Sequence, residues 1–463
     1  MDINSRIDEM KEGLVNSTQE LVRMRSLEGP AREGMPFGED VALCLEKALE
    51  ISRSLGFKTV NMDGYVGYAE YGEGEDYVAV LGHLDVVPEG NGWIYPPYGA
   101  ETHEGKIFGR GTMDDKGPIV AALYGLKAIA DAKLPLSKSV RIIFGTNEET
   151  GSKEMHHYTS REKAPAAGFT PDGEYPIIYG EKGITMFEAV KTLEKKGTGS
   201  VVIKSMKGGQ RVNMVPDYCE AVVSAENQAT VIKAAEEFKS RTGYDISAAA
   251  EADSIVIKSA GVSAHGSLPQ LGKNAIMQMF AFLVELELGS CDIADFIGFF
   301  NRYVGMETDG KSFGVGLEDK ESGKLSFNVG TLTMDQDRIS LGLNIRYPVT
   351  KTYDDLMVPF NEMIEPAGIK VEDMVVQKPL FFPSEHPLIK ALQKVYTEQT
   401  GLKAKLLAIG GGTYAKEMPN IVAFGPIFPG EPDLDHQANE YIRIDHLIMN
   451  AKIYGHAIYE LAK

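Results

Sequence analysis

Tyr77-Val78-Ala79-Val80-Leu81-Gly82-His83-Leu84-Asp85 is the stretch that decides the fold. Residues 77–81 form an unbroken apolar run, as expected of a strand buried on both faces, and the run delivers a histidine and an aspartate at its end. Downstream, 118–134 repeats apolar residues with helical spacing, and Val140-Arg141-Ile142-Ile143-Phe144 is a second buried-strand candidate. Upstream, Leu45, Ala48, Leu49 and Leu55 share a helical face that stops at Gly56, a good C-cap residue. Strands alternating with helices of these lengths predict an α/β layer with a mainly parallel sheet flanked by helices.

The texture changes near residue 184. The segment 326–346 alternates apolar and polar residues like a hairpin, and helical patterns occupy 229–241, 274–288 and 353–364. Near 383–386 the α/β character resumes, ending in an amphipathic helix over 445–461. A chain of 463 residues exceeds what one hydrophobic core usually supports. The expected organisation is therefore a split catalytic domain, 1–183 and 381–463, interrupted by an α+β insertion, 184–380, long enough to contain two similar halves.

Hydrophobic residues at 43% and charged residues at 24% describe an ordinary folded, soluble chain. A formal net charge of −19 opposes binding to nucleic acid, because a duplex would repel the surface. No stretch approaches the ~20 apolar residues needed to span a bilayer, and no apolar leader follows Met1. Cys44, Cys219 and Cys291 are scattered and odd in number, which suits free thiols in the cytoplasm and not a disulfide framework or thiolate zinc site.

Five places carry chemistry. His83 and Asp85, two apart in a strand, point the same way, which suits an imidazole ligand oriented by a neighbouring carboxylate. Gly109-Arg110-Gly111-Thr112-Met113-Asp114-Asp115-Lys116-Gly117 is a glycine-rich turn opening a helix; alone, an aspartate there is an ordinary N-cap. Thr146-Asn147-Glu148-Glu149-Thr150-Gly151 follows the second strand candidate, where α/β sheets hold ligands, although by itself it is a solvated acidic turn. Asp172 in Thr170-Pro171-Asp172-Gly173 and His436 in Asp433-Leu434-Asp435-His436-Gln437 mean little singly. Together His83, Asp114, Glu149, Asp172 and His436 give two imidazoles and three carboxylates without a thiolate. That set suits two divalent ions, zinc or manganese with cobalt as a third choice, and leaves Glu148 free to handle protons.

These residues, in this order, resemble the dinuclear aminoacylase/carboxypeptidase family of metallopeptidases. The runs Asp114-Asp115-Lys116-Gly117-Pro118, Phe428-Pro429-Gly430 and His436-Gln437-Ala438-Asn439-Glu440 are most similar to PepV-type dipeptidases. The resemblance implies that Asp114 bridges two metals, with His83 and Asp172 completing one and Glu149 and His436 the other. It implies Asp85 as the residue orienting His83, and Glu148 as general base and then acid. The insertion would be a lid. In it, His265 would help polarise the scissile carbonyl, and Asn213 and Arg346 would hold the substrate's terminal carboxylate. A doubled lid would remove the need for a twin subunit, so a monomer is expected. The implied reaction is hydrolysis of dipeptides with a free amino terminus. An N-acyl-amino-acid deacylase with the same site is the main alternative, and a catalytically silent metal-binding scaffold a lesser one.

Two further signals need a place. Gly305-Met306-Glu307-Thr308-Asp309-Gly310-Lys311-Ser312 fits the P-loop pattern, but it follows a helix-like stretch and carries two acids that would repel phosphate. Gly410-Gly411-Gly412-Thr413 offers a tight turn in which Gly411 would let the backbone approach substrate closely.

Overall fold

The computed structural model describes residues 2–463. It contains two compact units: residues 1–179, 382–407 and 412–463 form unit 1, and residues 180–381 with 408–411 form unit 2.

Unit 1 is built on a mixed sheet whose strands run in the order Lys58–Met62, Val66–Tyr71, Ser139–Gly145, Tyr77–His83, Ala167–Thr170, Ile421–Ala423 and Ile177–Glu181. The four central strands, from Ser139–Gly145 to Ile421–Ala423, are parallel, and the outer ones are antiparallel. All seven residues of Tyr77–His83 are buried, which explains its unbroken apolar run. The antiparallel edge is made locally: Lys58–Met62 and Val66–Tyr71 are joined across Asp63 and Gly64, both at positive φ.

The helices Lys116–Asp131 and Ile444–Ala462 pack on each other and on the Tyr77–His83 strand, with Ile3–Val22 against both. Ile119, Val120, Leu123, Leu126 and Ile129 of the first of these are all sealed from solvent. Each such side chain is worth roughly 1.5–3 kcal/mol of burial. Gly125 marks the closest approach. A Cβ there would lie 2.7 Å from the Gly455 nitrogen and 2.9 Å from the Ala451 carbonyl, so the two helix backbones touch.

Unit 2 is an eight-stranded antiparallel sheet in the order Asp245–Glu251, Ser254–Ala260, Tyr218–Ala225, Val201–Gly208, Ser326–Met334, Arg338–Tyr347, Gly183–Thr192 and Lys370–Gln377. Its halves share one plan. In each, a hairpin (Val201–Gly208 with Tyr218–Ala225, or Ser326–Met334 with Arg338–Tyr347) leads through a helix (Gln228–Thr242 or Tyr353–Ile364) to an edge strand. A fourth strand fills the gap between hairpin and edge: Ser254–Ala260 comes last in its half, and Gly183–Thr192 comes first in the other. The halves join where Met206–Gly208 pairs with Leu332–Met334. The expected helix over 274–288 ends at Leu283, because the chain beyond turns to give the Glu287 carbonyl to the Val201 amide.

The glycine crossing makes a prediction. In an open helix Gly125→Ala would stabilise by about 1 kcal/mol. Here the added methyl must push two backbones apart, at roughly 1–3 kcal/mol or more. The variant should therefore unfold at lower urea than the parent; a higher midpoint would show that the crossing is not set by this glycine.

Candidate metal centre

Three adjacent parallel strands of unit 1 bring their carboxyl ends to one place, where ligands bind in open α/β sheets. His83 ends one strand, Glu148 and Glu149 follow the second on a short turn, and Asp172 follows the third. Asp114 arrives on the loop before the Lys116–Asp131 helix, and His436 comes from the segment after Ile421–Ala423. Two glycines make the room. A Cβ on Gly82 would meet the Asp115 carboxylate at 2.3 Å, and one on Gly145 the Tyr414 hydroxyl at 1.9 Å.

The donors converge. Ligand atoms of His83, Asp114 and Glu149 lie within 4.8 Å of one another. His83 Nε2 is 2.7 Å from Asp114 Oδ1, while His436 Nε2 is 3.0 Å from Glu149 Oε2 and 3.3 Å from Asp114 Oδ2. Asp114 thus faces both imidazoles, one through each oxygen. Asp172 is half-buried, and its Oδ2 accepts from the Tyr414 amide at 3.2 Å.

Asp85 does two jobs. Its backbone carbonyl meets His83 Nδ1 at 3.0 Å, closer than its carboxylate at 3.5 Å, which turns the other ring nitrogen toward Asp114. Its carboxylate accepts from the amides of Glu148, at 3.2 Å, and Glu149, at 3.1 Å, fixing the turn that carries both. Asp115 does not cap the helix it precedes. Its buried carboxyl instead accepts from the His83 amide at 3.2 Å.

The electrostatics describe a centre short of positive charge. Burial and then the Asp114 charge push Glu149 up to about 7, and the same two causes push Asp172 up to about 6. Burial followed by Asp172 raises Glu148 well above the carboxylate range. The imidazoles are held protonated. Burial opposes charge on His83, but Asp114 outweighs it, and His436 is raised to about 11 by its bonds to Asp114 and Glu149. Glu149 Oε1 is buried with no hydrogen-bond partner. Acids that retain protons, imidazoles that take them up and an orphaned buried carboxylate oxygen all fit a divalent cation, which would supply the missing charge.

One residue was missing from the sequence reading as a participant. Glu440 is wholly buried, and its carboxylate accepts from Arg110 Nη1 at 2.7 Å and from the amides of Gly111 at 3.0 Å, Met113 at 2.8 Å and Asp114 at 3.3 Å. It shapes the loop that presents Asp114. A second network lies beneath: the Tyr414 hydroxyl donates to buried Glu154, whose carboxyl burial pushes up to about 7, and the Tyr414 ring stands edge-on to His83 at 6.0 Å. In sequence Glu440 closes the His436-Gln437-Ala438-Asn439-Glu440 run that carries the resemblance, but nothing local assigns what its carboxylate touches.

The remaining expected residues belong to unit 2. Arg346 is buried and donates to Asn344 Oδ1 at 3.0 Å and the Gly410 carbonyl at 2.7 Å, both neutral. Among the described residues it has no acid partner, and burial lowers it to about 10. His265 Nδ1 is 2.6 Å from the Ser267 hydroxyl, and the Asn213 carbonyl accepts from the Gly266 amide at 2.7 Å. Gly411 lies beside Gly410, with open space around its α-carbon apart from Ile409. The P-loop-like run opens no helix after Ser312, and Glu307 accepts from both the amide and the hydroxyl of Ser312.

The chain belongs to peptidase family M20/M25/M40, whose model matches residues 79–460. It is 41% identical over 457 residues to YtjP of Bacillus subtilis (strain 168), a dipeptidase by designation, covering 98% of both chains. A Staphylococcus aureus (strain bovine RF122 / ET3-1) protein of the same designation, SAB1611c, is 34% identical over 462 residues, again with 98% of each covered. Among solved structures, the aminoacylhistidine dipeptidase of Vibrio alginolyticus shares the fold, with a TM-score of 0.59 at 12% identity over 97% of this chain and 96% of that one. Among the described residues no helix is long and apolar enough to cross a membrane.

Two outcomes follow for metal binding. Glu149 and Asp172 keep protons at pH values where ordinary carboxylates have lost them, so an ion must displace those protons to bind. Affinity for zinc or manganese should rise between pH 5 and pH 8, with proton release visible when titration calorimetry is repeated in buffers of different ionisation enthalpy; a pH-independent affinity would contradict it. Glu440→Gln strips Arg110 of its counter-ion and the Asp114 loop of a charged acceptor. It should weaken metal binding by about 10–100-fold and cost roughly 3 kcal/mol of stability, read by equilibrium dialysis and by denaturant unfolding.

Proposed function

We propose that this chain is a metal-dependent dipeptidase that hydrolyses dipeptides with a free amino terminus. The observation that carries the reading is the turn after Gly145. There the two Asp85-held residues are a metal donor, Glu149, and a second carboxyl, Glu148, half-buried beside it. His83, Asp114, Glu149, Asp172 and His436 would hold two divalent ions, zinc or manganese. When bound, they supply an acidified water and an electrophile for the peptide carbonyl.

The proton work falls to Glu148. Its raised affinity for protons makes it a fit acceptor from the attacking water and, in turn, a donor to the departing amine. Asp85 holds it in place through the backbone amide, leaving its carboxyl free to move the proton. In unit 2, which we take to be the lid, Arg346 has its charge unanswered and is suited to a substrate carboxylate, with Asn213 beside it in that role. His265 is lowered by burial and then by the Arg346 charge, so it enters the reaction neutral and donates a hydrogen bond to the carbonyl oxygen. The designations of the 41% and 34% identical relatives support a dipeptide substrate. The duplicated plan of unit 2 supports a monomer, and the buried free cysteines support a cytoplasmic enzyme.

Ala-Ala and N-acetyl-Ala-Ala, offered to metal-stripped protein with zinc or manganese restored separately, test the reading. Turnover of Ala-Ala alone, and only with metal, is expected; preference for the blocked substrate would instead make the enzyme a deacylase. Glu148→Ala should bind metal normally yet lose several orders of magnitude in kcat. Arg346→Met should raise KM for Ala-Ala by at least about tenfold, and an unchanged KM would remove Arg346 from the substrate site.

A further inference from the structure

The backbone that carries His265 is pinned on both sides. The Val215 amide donates to the Ala264 carbonyl at 2.8 Å, the Gly266 amide to the Asn213 carbonyl at 2.7 Å, and the Leu268 amide to the His265 carbonyl at 2.9 Å. Gly266 has no room to shift: a Cβ there would lie 2.8 Å from the Asn213 carbonyl and 2.9 Å from Asn344 Oδ1. The side chain is held differently. His265 is exposed, so hydrogen bonds and not packing must orient its ring.

Those bonds end on one atom. Nδ1 lies 2.6 Å from the Ser267 hydroxyl and 3.4 Å from the Ser267 amide. A hydroxyl can give or take a hydrogen, whereas a backbone N–H can only donate. The amide therefore needs a lone pair on Nδ1, and the hydroxyl completes the arrangement as a second donor. Arg346 is the charged neighbour of this ring, and a cation beside it opposes the imidazolium. A neutral imidazole carries one N–H, so with Nδ1 accepting, the proton sits on Nε2. Ser267 is itself well seated. Its carbonyl accepts from Ser326 Oγ at 2.8 Å, and a Cβ on Gly410, whose carbonyl takes an Arg346 N–H, would lie 3.0 Å from the Ser267 Cβ.

We propose that Ser267 is a positioning residue: it donates to His265 Nδ1, locks the ring as the Nε2–H tautomer and so makes His265 a donor toward the scissile carbonyl oxygen. The role in the reaction rests on the dipeptidase reading; the tautomer does not. The opposite tautomer would turn a lone pair toward the negative charge that develops on that oxygen, and would repel it. A serine two residues after the histidine thus selects between a donor and an acceptor at the same place.

Histidine-selective ¹⁵N labelling of the full chain, without substrate, reads the ring through its two-bond proton correlations, with the His265 signals identified by their loss in His265→Asn. A protonated Nε2 and an unprotonated, hydrogen-bonded Nδ1 are expected. In Ser267→Ala the Ser326 bond to the backbone is kept, and the ring nitrogens should shift toward the average of the two tautomers. With metal restored, that variant should lose at least about tenfold in kcat on Ala-Ala while KM stays within about twofold, with circular dichroism confirming that it is folded. A proton on Nδ1 in the parent, ring signals unmoved by Ser267→Ala, an unchanged kcat in that variant or a change confined to KM would each overturn the proposal. If the parent cleaves no dipeptide, the peptidase reading fails, and the spectrum still decides the tautomer.

Discussion

Negative charge packed at the ends of three parallel strands is the constraint on which unit 1 depends. Asp114, Glu148, Glu149 and Asp172 crowd together with little water to screen them, and isolated carboxylates do not tolerate such an environment. The ion-free protein answers by keeping protons on Glu148, Glu149 and Asp172 and on both imidazoles, while Asp114, faced by the two imidazoles, is held ionised. Asp85, Tyr414 and Glu440 fix the backbone around these groups. The centre is stable enough to exist before it is loaded, yet energetically incomplete until it is.

The way Glu440 satisfies that constraint differs from the way the donors do. It carries no donor atom to the centre. It gathers three loop amides and one guanidinium around a single buried carboxylate, so the Asp114 loop keeps its form from a residue 326 positions later in the chain. Glu154 and Tyr414 do the same for the floor beneath His83. Such supports turn a flexible glycine-rich turn into a rigid one around Asp114.

Local pattern carried much of the fold. The buried strand at Tyr77–His83, the helix that follows from Lys116 and the hairpin at 326–346 are short-range signals, and each lies where its periodicity placed it. The joint occurrence of His83, Asp114 and Glu149 was legible for the same reason, since each sits at a strand end or turn marked by glycine. The partners that depend on long-range contact were not. Nothing near Glu440 or Tyr414 in sequence says what each touches. Asp115 occupies a cap position but bonds the His83 amide, because Gly82 leaves a space that only the folded sheet defines. The antiparallel flanks of the sheet were missed as well, although Asp63-Gly64 is a hairpin signal in its own right.

The insertion of unit 2 between the two parts of unit 1 also governs how the protein is born. Chains emerge from the ribosome amino end first, and domains tend to fold as they appear. His83, Asp114, Glu149 and Asp172 are all made before unit 2, whereas His436, Glu440, Tyr414 and the Ile421–Ala423 strand come after it. Unit 2 has its own core and can settle while unit 1 still lacks a central strand. The nascent chain therefore holds most of its acids without the loop support or the second imidazole. The full set of donors and its loop support is assembled only after synthesis has passed His436 and Glu440.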